Sequence, residues 1–163
     1  MEKLPTLKSV AAGRKPLTLN LVWADGARDT VDLTGLAHRS RHFKVFAENP
    51  PAFRNVSVTE FGGGVEWANG LDYSATNLKL LADEQRPMSG KELSAFEAEN
   101  GLNTAETSAL LGIAERTVRA YRHEKVLPAT VAITLRAMRA NKALLAAHYR
   151  PIPRSMGRPR KSA

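Results

Sequence analysis

The twenty residues from Leu102 to Tyr121, LNTAETSALLGIAERTVRAY, leave the backbone little choice. Gly112 follows the apolar pair Leu110 and Leu111, and glycine enters a left-handed backbone conformation without steric cost, so a helix is expected to end there. Upstream, Asn103 stands three residues before Glu106. At that spacing an N-cap side chain and a returning carboxylate satisfy each other's backbone donors, which starts the helix near Thr104. Beyond the turn, Ile113, Val118 and Tyr121 bring apolar groups back to one face, and Ser108 is small enough for a second helix to cross closely. The expectation is two short helices packed as one unit about a tight turn.

If the second helix buries Val118 and Tyr121, its period turns Glu115, Arg116, Arg119 and Ala120 outward, with Arg122 and His123 extending the same polar side. Arginine on such a face can make two hydrogen bonds to guanine O6 and N7 in a major groove, and Glu115 can accept from a cytosine amino group. The other reading of the pattern is a helical hairpin in an unrelated small domain, its arginines merely solvated. Flanking signals add helices on both sides. Ser89 and Glu92 repeat the capping spacing before Leu93 and Phe96, with a stop at Asn100-Gly101. Pro128 opens a later helix expected to run to about His148, with Val131, Leu135, Met138, Leu144 and Leu145 on one stripe. That stripe either packs on the N-terminal half or is shared in a homodimer.

Leu102, Asn103, Ser108, Leu111-Gly112-Ile113, Thr117-Val118 and Tyr121 together resemble the helix-turn-helix core of phage lambda repressor-like (Xre/Cro) domains, over roughly Ser89 to His148. The resemblance implies an all-α domain that binds double-stranded DNA through a recognition helix at about 114–124. Its DNA-binding set on this chain is Thr104, Glu115, Arg116, Thr117, Arg119, Ala120, Arg122 and Lys125. Arg116, Arg119 and Glu115 are expected at base edges, Arg122 and Lys125 at phosphates. Two residues depart from the pattern. Thr107 stands where a leucine is usual and is expected to loosen helix packing. Ala114 stands where a serine or threonine usually caps the recognition helix.

Charge agrees with a polyanionic partner. Residues 1–86 carry 11 Lys and Arg against 10 Asp and Glu, a net +1, while residues 87–163 carry 13 against 6, a net +7. The basic half is the half with the helical pair; acidic protein and lipid surfaces are the competing partners of such a field. The last fourteen residues, RPIPRSMGRPRKSA, hold five basic groups and three prolines and are not expected to fold alone. Gly157-Arg158-Pro159 with its basic flanks resembles the core of an AT-hook, which would place Arg158 in a narrow A·T minor groove. The plain alternative is a polycationic tail acting by counterion release.

The N-terminal half has a different texture. Leu17, Leu19, Leu21 and Trp23 alternate with smaller or polar residues, Ala24-Asp25-Gly26 turns the chain, and Thr30–Leu33 continues as a second strand. A helix over Arg39 to Glu48 is expected to bury Phe43 and Phe46 and to end at Pro50-Pro51. Val56 and Val58 alternate again, Gly62-Gly63-Gly64 breaks the ladder, and Val65-Glu66-Trp67 leads to an Asn69-Gly70 hairpin. Ser74 then caps a helix carrying Leu78, Leu80 and Leu81, and Gln85-Arg86-Pro87 serves as linker. With VEWANG at its centre, this half is similar to a family of small uncharacterised bacterial domains, found alone or joined to Xre-type domains. That similarity implies a bacterial source and a protein-binding or assembly role.

Catalysis finds no support in the residue pattern. His38 and His42 share the i, i+4 spacing of two ligands on a helical face, yet no cysteine or matched acid completes a metal site. The glycine run lacks the Lys-Ser/Thr of a phosphate loop. Glu60, Glu66 and Asp72 read as solvent-facing charges rather than an acid-base set. With 163 residues, 43% hydrophobic content, no cysteine and no signal-peptide core, a cytoplasmic, non-enzymatic protein without cofactor is expected. The fold class is α+β: an α+β domain over 1–86, an all-α helix-turn-helix domain over 87–149 and a basic tail over 150–163. The function expected is that of a bacterial transcriptional regulator. Its alternative is an antitoxin-like interaction partner whose N-terminal domain binds protein and whose helix-turn-helix is autoregulatory or decayed.

Overall fold

The structure, a computed structural model, describes residues 4–153. Among these the fold is mixed α+β, with eight α-helices and two three-stranded sheets, and the chain divides into two compact units, Met1–Arg86 and Pro87–Ala163.

In the first unit, alternation of buried and exposed side chains builds antiparallel sheets. Strands β1 (Leu7–Ala12), β2 (Thr18–Trp23) and β3 (Arg28–Asp32) form one sheet in that order, with Leu19 opposite Val31 and Leu21 opposite Val10. The β2–β3 hairpin falls at the turn the sequence marks. Strand β1 lies outside the sequence expectation because its buried-to-exposed alternation is faint: of its six residues Leu7 alone is fully buried. The expected helix over Arg39 to Glu48 is instead two, α1 (Thr34–Arg39) and α2 (Lys44–Glu48), because Ser40 is extended at φ −96° and ψ 125°. His38 therefore sits on α1 and His42 in the intervening turn, so the two share no helical face.

A 3₁₀ turn over Pro50–Arg54 leads into β4 (Val56–Val58), β5 (Gly64–Trp67) and β6 (Asp72–Ser74), again antiparallel in chain order. Ser74 accepts a hydrogen bond from the Asn77 N–H at 3.2 Å and caps α3 (Ala75–Gln85). Phe43, Phe46, Phe53 and Trp67 meet edge-on or tilted at centroid distances of 4.9–5.9 Å and anchor the core of this unit. Such aromatic pairs add to the burial of their area. Glu66 is exposed while its neighbours Val65 and Trp67 are buried, as the alternation requires.

The second unit is helical throughout its described residues: α4 (Gly90–Asn100), α5 (Thr104–Leu111), α6 (Glu115–Tyr121), α7 (Ala129–Ala140) and α8 (Lys142–His148). Its core gathers Met88, Leu93, Phe96, Leu102, Leu127, Val131, Leu135 and Met138, with Leu144 and Leu145 half-buried against them. The single helix expected from Pro128 to His148 is broken at Asn141. That residue is extended at φ −128° and ψ 97°, and its side chain caps α8 by accepting from the Ala143 N–H at 3.0 Å. No helix among the described residues is long and apolar enough to cross a membrane.

Candidate nucleic-acid interface

The turn between α5 and α6 is built by the residues that mark it in the sequence. Gly112 is left-handed at φ 66°, the Ile113 N–H donates to Ser108 O at 3.1 Å, and the Gly112 N–H reaches Ala109 O at 3.4 Å. This double closure satisfies two carbonyls at the helix end. Ser108 does more than stay small, since its hydroxyl donates to the Ile113 carbonyl and straps the turn. At the other end of α5, Asn103 Oδ1 accepts from the Glu106 N–H and Glu106 Oε2 accepts from the Asn103 N–H, both at 2.9 Å. Ala114 gives α6 no side-chain cap, as expected.

The outward face of α6 carries Glu115, Arg116, Arg119 and Ala120, all exposed, with Thr117 half-buried and Lys125 exposed just beyond the helix. Arg119 Nη2 lies 2.7 Å from Glu115 Oε2, one turn back, so these two charges are paired with each other. An exposed pair of this kind contributes only about 0.3–0.5 kcal/mol and is readily exchanged for another partner. Arg116 and Lys125 make no ion pair or side-chain hydrogen bond among the described residues. Arg158 lies outside the described residues.

Arg122 and Thr104 belong elsewhere. Arg122 donates from Nε to Glu97 Oε2 and from Nη2 to Glu97 Oε1, both at 2.8 Å, and Nη2 also reaches Thr104 Oγ1 at 2.9 Å. The Glu97 side chain is 8% exposed and that of Arg122 27%. The hydrogen bond to the Glu97 carboxylate holds the guanidinium proton more firmly than usual, against the opposing effect of burial. Arg122 is thus an internal strut between α4 and the end of α6, not part of the outer polar side. The helical period explains the correction: Arg122 follows buried Val118 by four residues and so lies on Val118's face.

Thr107 completes this network. It is fully buried, and its hydroxyl donates to Glu97 Oε1 at 2.8 Å. At the position where a leucine is usual, the threonine satisfies a buried carboxylate rather than loosening the packing. No signal in the sequence marked Glu97, because its partners lie 10 and 25 residues away. Gly90 was equally silent. It opens α4 against the backbone of the α6 terminus, and a Cβ there would fall 2.1 Å from Tyr121 O and 2.5 Å from Arg122 C. The Gly90 N–H donates to Glu124 O at 2.9 Å.

The chain after α8 returns to the α5 cap. Tyr149 donates its phenol proton to Glu106 Oε1 at 2.8 Å, the Ile152 N–H donates to the same oxygen at 3.1 Å, and Asn103 Nδ2 donates to Ile152 O at 2.8 Å. The hydrogen bond to Glu106 raises the Tyr149 pKa above its ordinary value, with burial acting in the same direction. Residues 150–152, expected as the start of an unfolded tail, are therefore anchored through Ile152. The Gly157-Arg158-Pro159 core lies outside the described residues.

No protein-family model matches the chain, and no curated protein matches it significantly. Its resemblance to lambda repressor-like domains thus rests on the residues of the helical pair. Among solved structures, a candidate DNA-binding protein from Nitrosomonas europaea is 25% identical over 97% of this chain and 100% of its own, with a TM-score of 0.47.

Proposed function

We propose that residues 87–149 bind double-stranded DNA as a helix-turn-helix domain, with α6 in the major groove, and that the protein is a transcriptional regulator. The observation that carries this reading is Arg116: an exposed arginine without an ion-pair partner among the described residues, on the outward face of a short helix. A tight turn at one end and a partly buried ion pair at the other hold that helix in place. A base-reading side chain needs such a base, because a guanidinium fork discriminates guanine only when its backbone is fixed. Arg119 and Glu115 lie on the same face and can exchange their mutual contact for base edges. Thr117 and Ala120 line it, and Lys125 supplies a phosphate contact. Arg122 and Thr104 support the face from behind. The net +7 of residues 87–163 provides the long-range attraction.

Selecting bound sequences from random duplex DNA and then titrating variants tests the reading. Arg116→Ala is expected to cost roughly 1–3 kcal/mol on the selected site and to relax preference at one base position. Lys125→Ala should weaken selected and scrambled duplexes alike. Equal loss on both duplexes for Arg116→Ala would remove that residue from base reading.

A further inference from the structure

The first unit displays a large aromatic side chain for which its own fold has no use. Phe61 is 89% exposed and stands at φ 63° and ψ 8°, a left-handed conformation that is a genuine outlier for a bulky side chain. The loop that carries it is fixed. The Thr59 N–H donates to Gly64 O and the Gly62 N–H to Thr59 O, each at 3.0 Å, while the Ala75 N–H donates to Gly63 O at 2.8 Å. Gly62, at φ 74°, presses so closely on β1 that a Cβ would fall 2.4 Å from Leu7 O. The result is an apolar knob on a rigid stem.

The same unit also holds a hole. An open cavity of about 410 Å³ is lined by the apolar Leu4, Pro5, Trp23 and Ala27 and by charges of both signs, Arg28 and Lys79 beside Asp25 and Asp29. Asp29 is engaged by the Trp23 Nε1–H at 2.7 Å and by Arg86 at 3.2 Å, and Lys79 is paired with Asp83 at 2.7 Å, so Arg28 is the lining cation left for a partner's acid. Arg28 makes no ion pair among the described residues, and neither does Glu60, the exposed acid next to the knob. Knob and hole adjoin through β1: Leu7 braces Gly62, and the residues just before it line the cavity.

We propose that this face is a twofold interface between two copies of the chain. Phe61 of each copy enters the cavity of the other, and Glu60 of each meets Arg28 of the other. An isologous contact requires one surface to carry both halves of a complementary pair, which this surface does in shape and in charge. An aromatic side chain seated in a desolvated pocket is the usual energetic centre of such an interface. The proposal does not depend on DNA binding.

Sedimentation equilibrium of the full chain is expected to show a dimer. Phe61→Ala should weaken it about thirtyfold or more, the loss typical of a buried aromatic anchor, with an unchanged circular dichroism spectrum. Glu60→Arg and Arg28→Glu should each dissociate the homodimer, since each places like charges together twice. Mixing these two variants should restore dimers, because every cross-contact in the mixed pair then joins opposite charges. A monomeric wild-type chain, a dimer indifferent to Phe61→Ala, or failure of the mixed variants to recover would each overturn the proposal.

Discussion

At the scale of the residue, the decisive distinction is between Arg116 and Arg119, which face solvent, and Arg122, which is drawn in to Glu97. Glu97 and Arg122 form a two-pronged pair at 2.8 Å, with Thr107 donating to the carboxylate and Thr104 accepting from the guanidinium. Removing one member of a buried pair leaves the other charge without compensation, so Arg122→Ala and Glu97→Ala are each expected to cost about 3 kcal/mol of stability, at the lower end for buried pairs because Arg122 retains some solvent contact. Urea denaturation measures this directly, and a midpoint within error of wild type would show the pair to be dispensable. Lys125→Ala is the control: stability should stay within about 0.5 kcal/mol. Its effect belongs in the salt dependence of DNA binding, reducing the slope of log K against log salt by about 0.9. The sequence made Arg116 and Arg119 legible, since helical period alone turns them outward. Arg122 is less legible, because its polarity points outward while its four-residue step from Val118 puts it on the buried face. Phe61 and Gly90 were hidden for another reason: a positive φ on a phenylalanine and a backbone-to-backbone approach leave no trace in residue type.

Elements were legible wherever a boundary is written in local chemistry. Asn103 with Glu106, Gly112, Ser89 with Glu92, Gly101 and Ser74 each start or stop a helix where they stand. Boundaries failed where apolar spacing runs on across a break. From Ala129 to His148 the stripe is continuous, yet Asn141 interrupts the backbone and starts a new helix with its own cap. Asn141→Ala should therefore lose a cap, about 1 kcal/mol in the urea transition of the second unit. Gly90→Ala tests a different joint, that between α4 and the end of α6. Its new methyl group must displace backbone rather than a flexible side chain, so a loss of about 1–3 kcal/mol is expected together with weaker DNA binding. The strap from Tyr149 to the α5 cap has a signature in alkaline titration. Because Glu106 raises the Tyr149 pKa in the folded state, the strap's contribution is complete below the ordinary tyrosine pKa near 10 and is lost as pH rises through the higher folded value. Difference absorbance of wild type against Tyr149→Phe should show one phenol ionising later than an ordinary tyrosine; a phenol titrating at or below the ordinary value would contradict the hydrogen bond.

On the scale of the whole molecule, composition and core point to a division of labour along the chain. The buried residues fall into two clusters with no shared member, one drawn from Leu7 to Ala82 and the other from Met88 to Met138. A unit that closes its own core can fold without its neighbour. Charge divides in the same way, with +1 on residues 1–86 and +7 on residues 87–163, so the counterion release that accompanies DNA binding should come almost wholly from the second unit. These two partitions arise from different physics, burial and electrostatics, and one pair of fragments tests both. Residues 1–86 and 87–163 prepared separately should each unfold in a single cooperative calorimetric transition. Counted per helix-turn-helix domain bound, since the dimer carries two, the fragment 87–163 should reproduce the salt slope of the full chain to within about one charge, while 1–86 should show no salt-dependent DNA affinity. A weaker affinity with an unchanged slope would mean that the first unit contributes through dimerisation rather than through phosphate contacts, as reciprocal insertion of Phe61 requires. A slope that falls by several charges when residues 1–86 are removed would instead place phosphate contacts on the first unit, and the electrostatic division would be wrong even if both fragments fold.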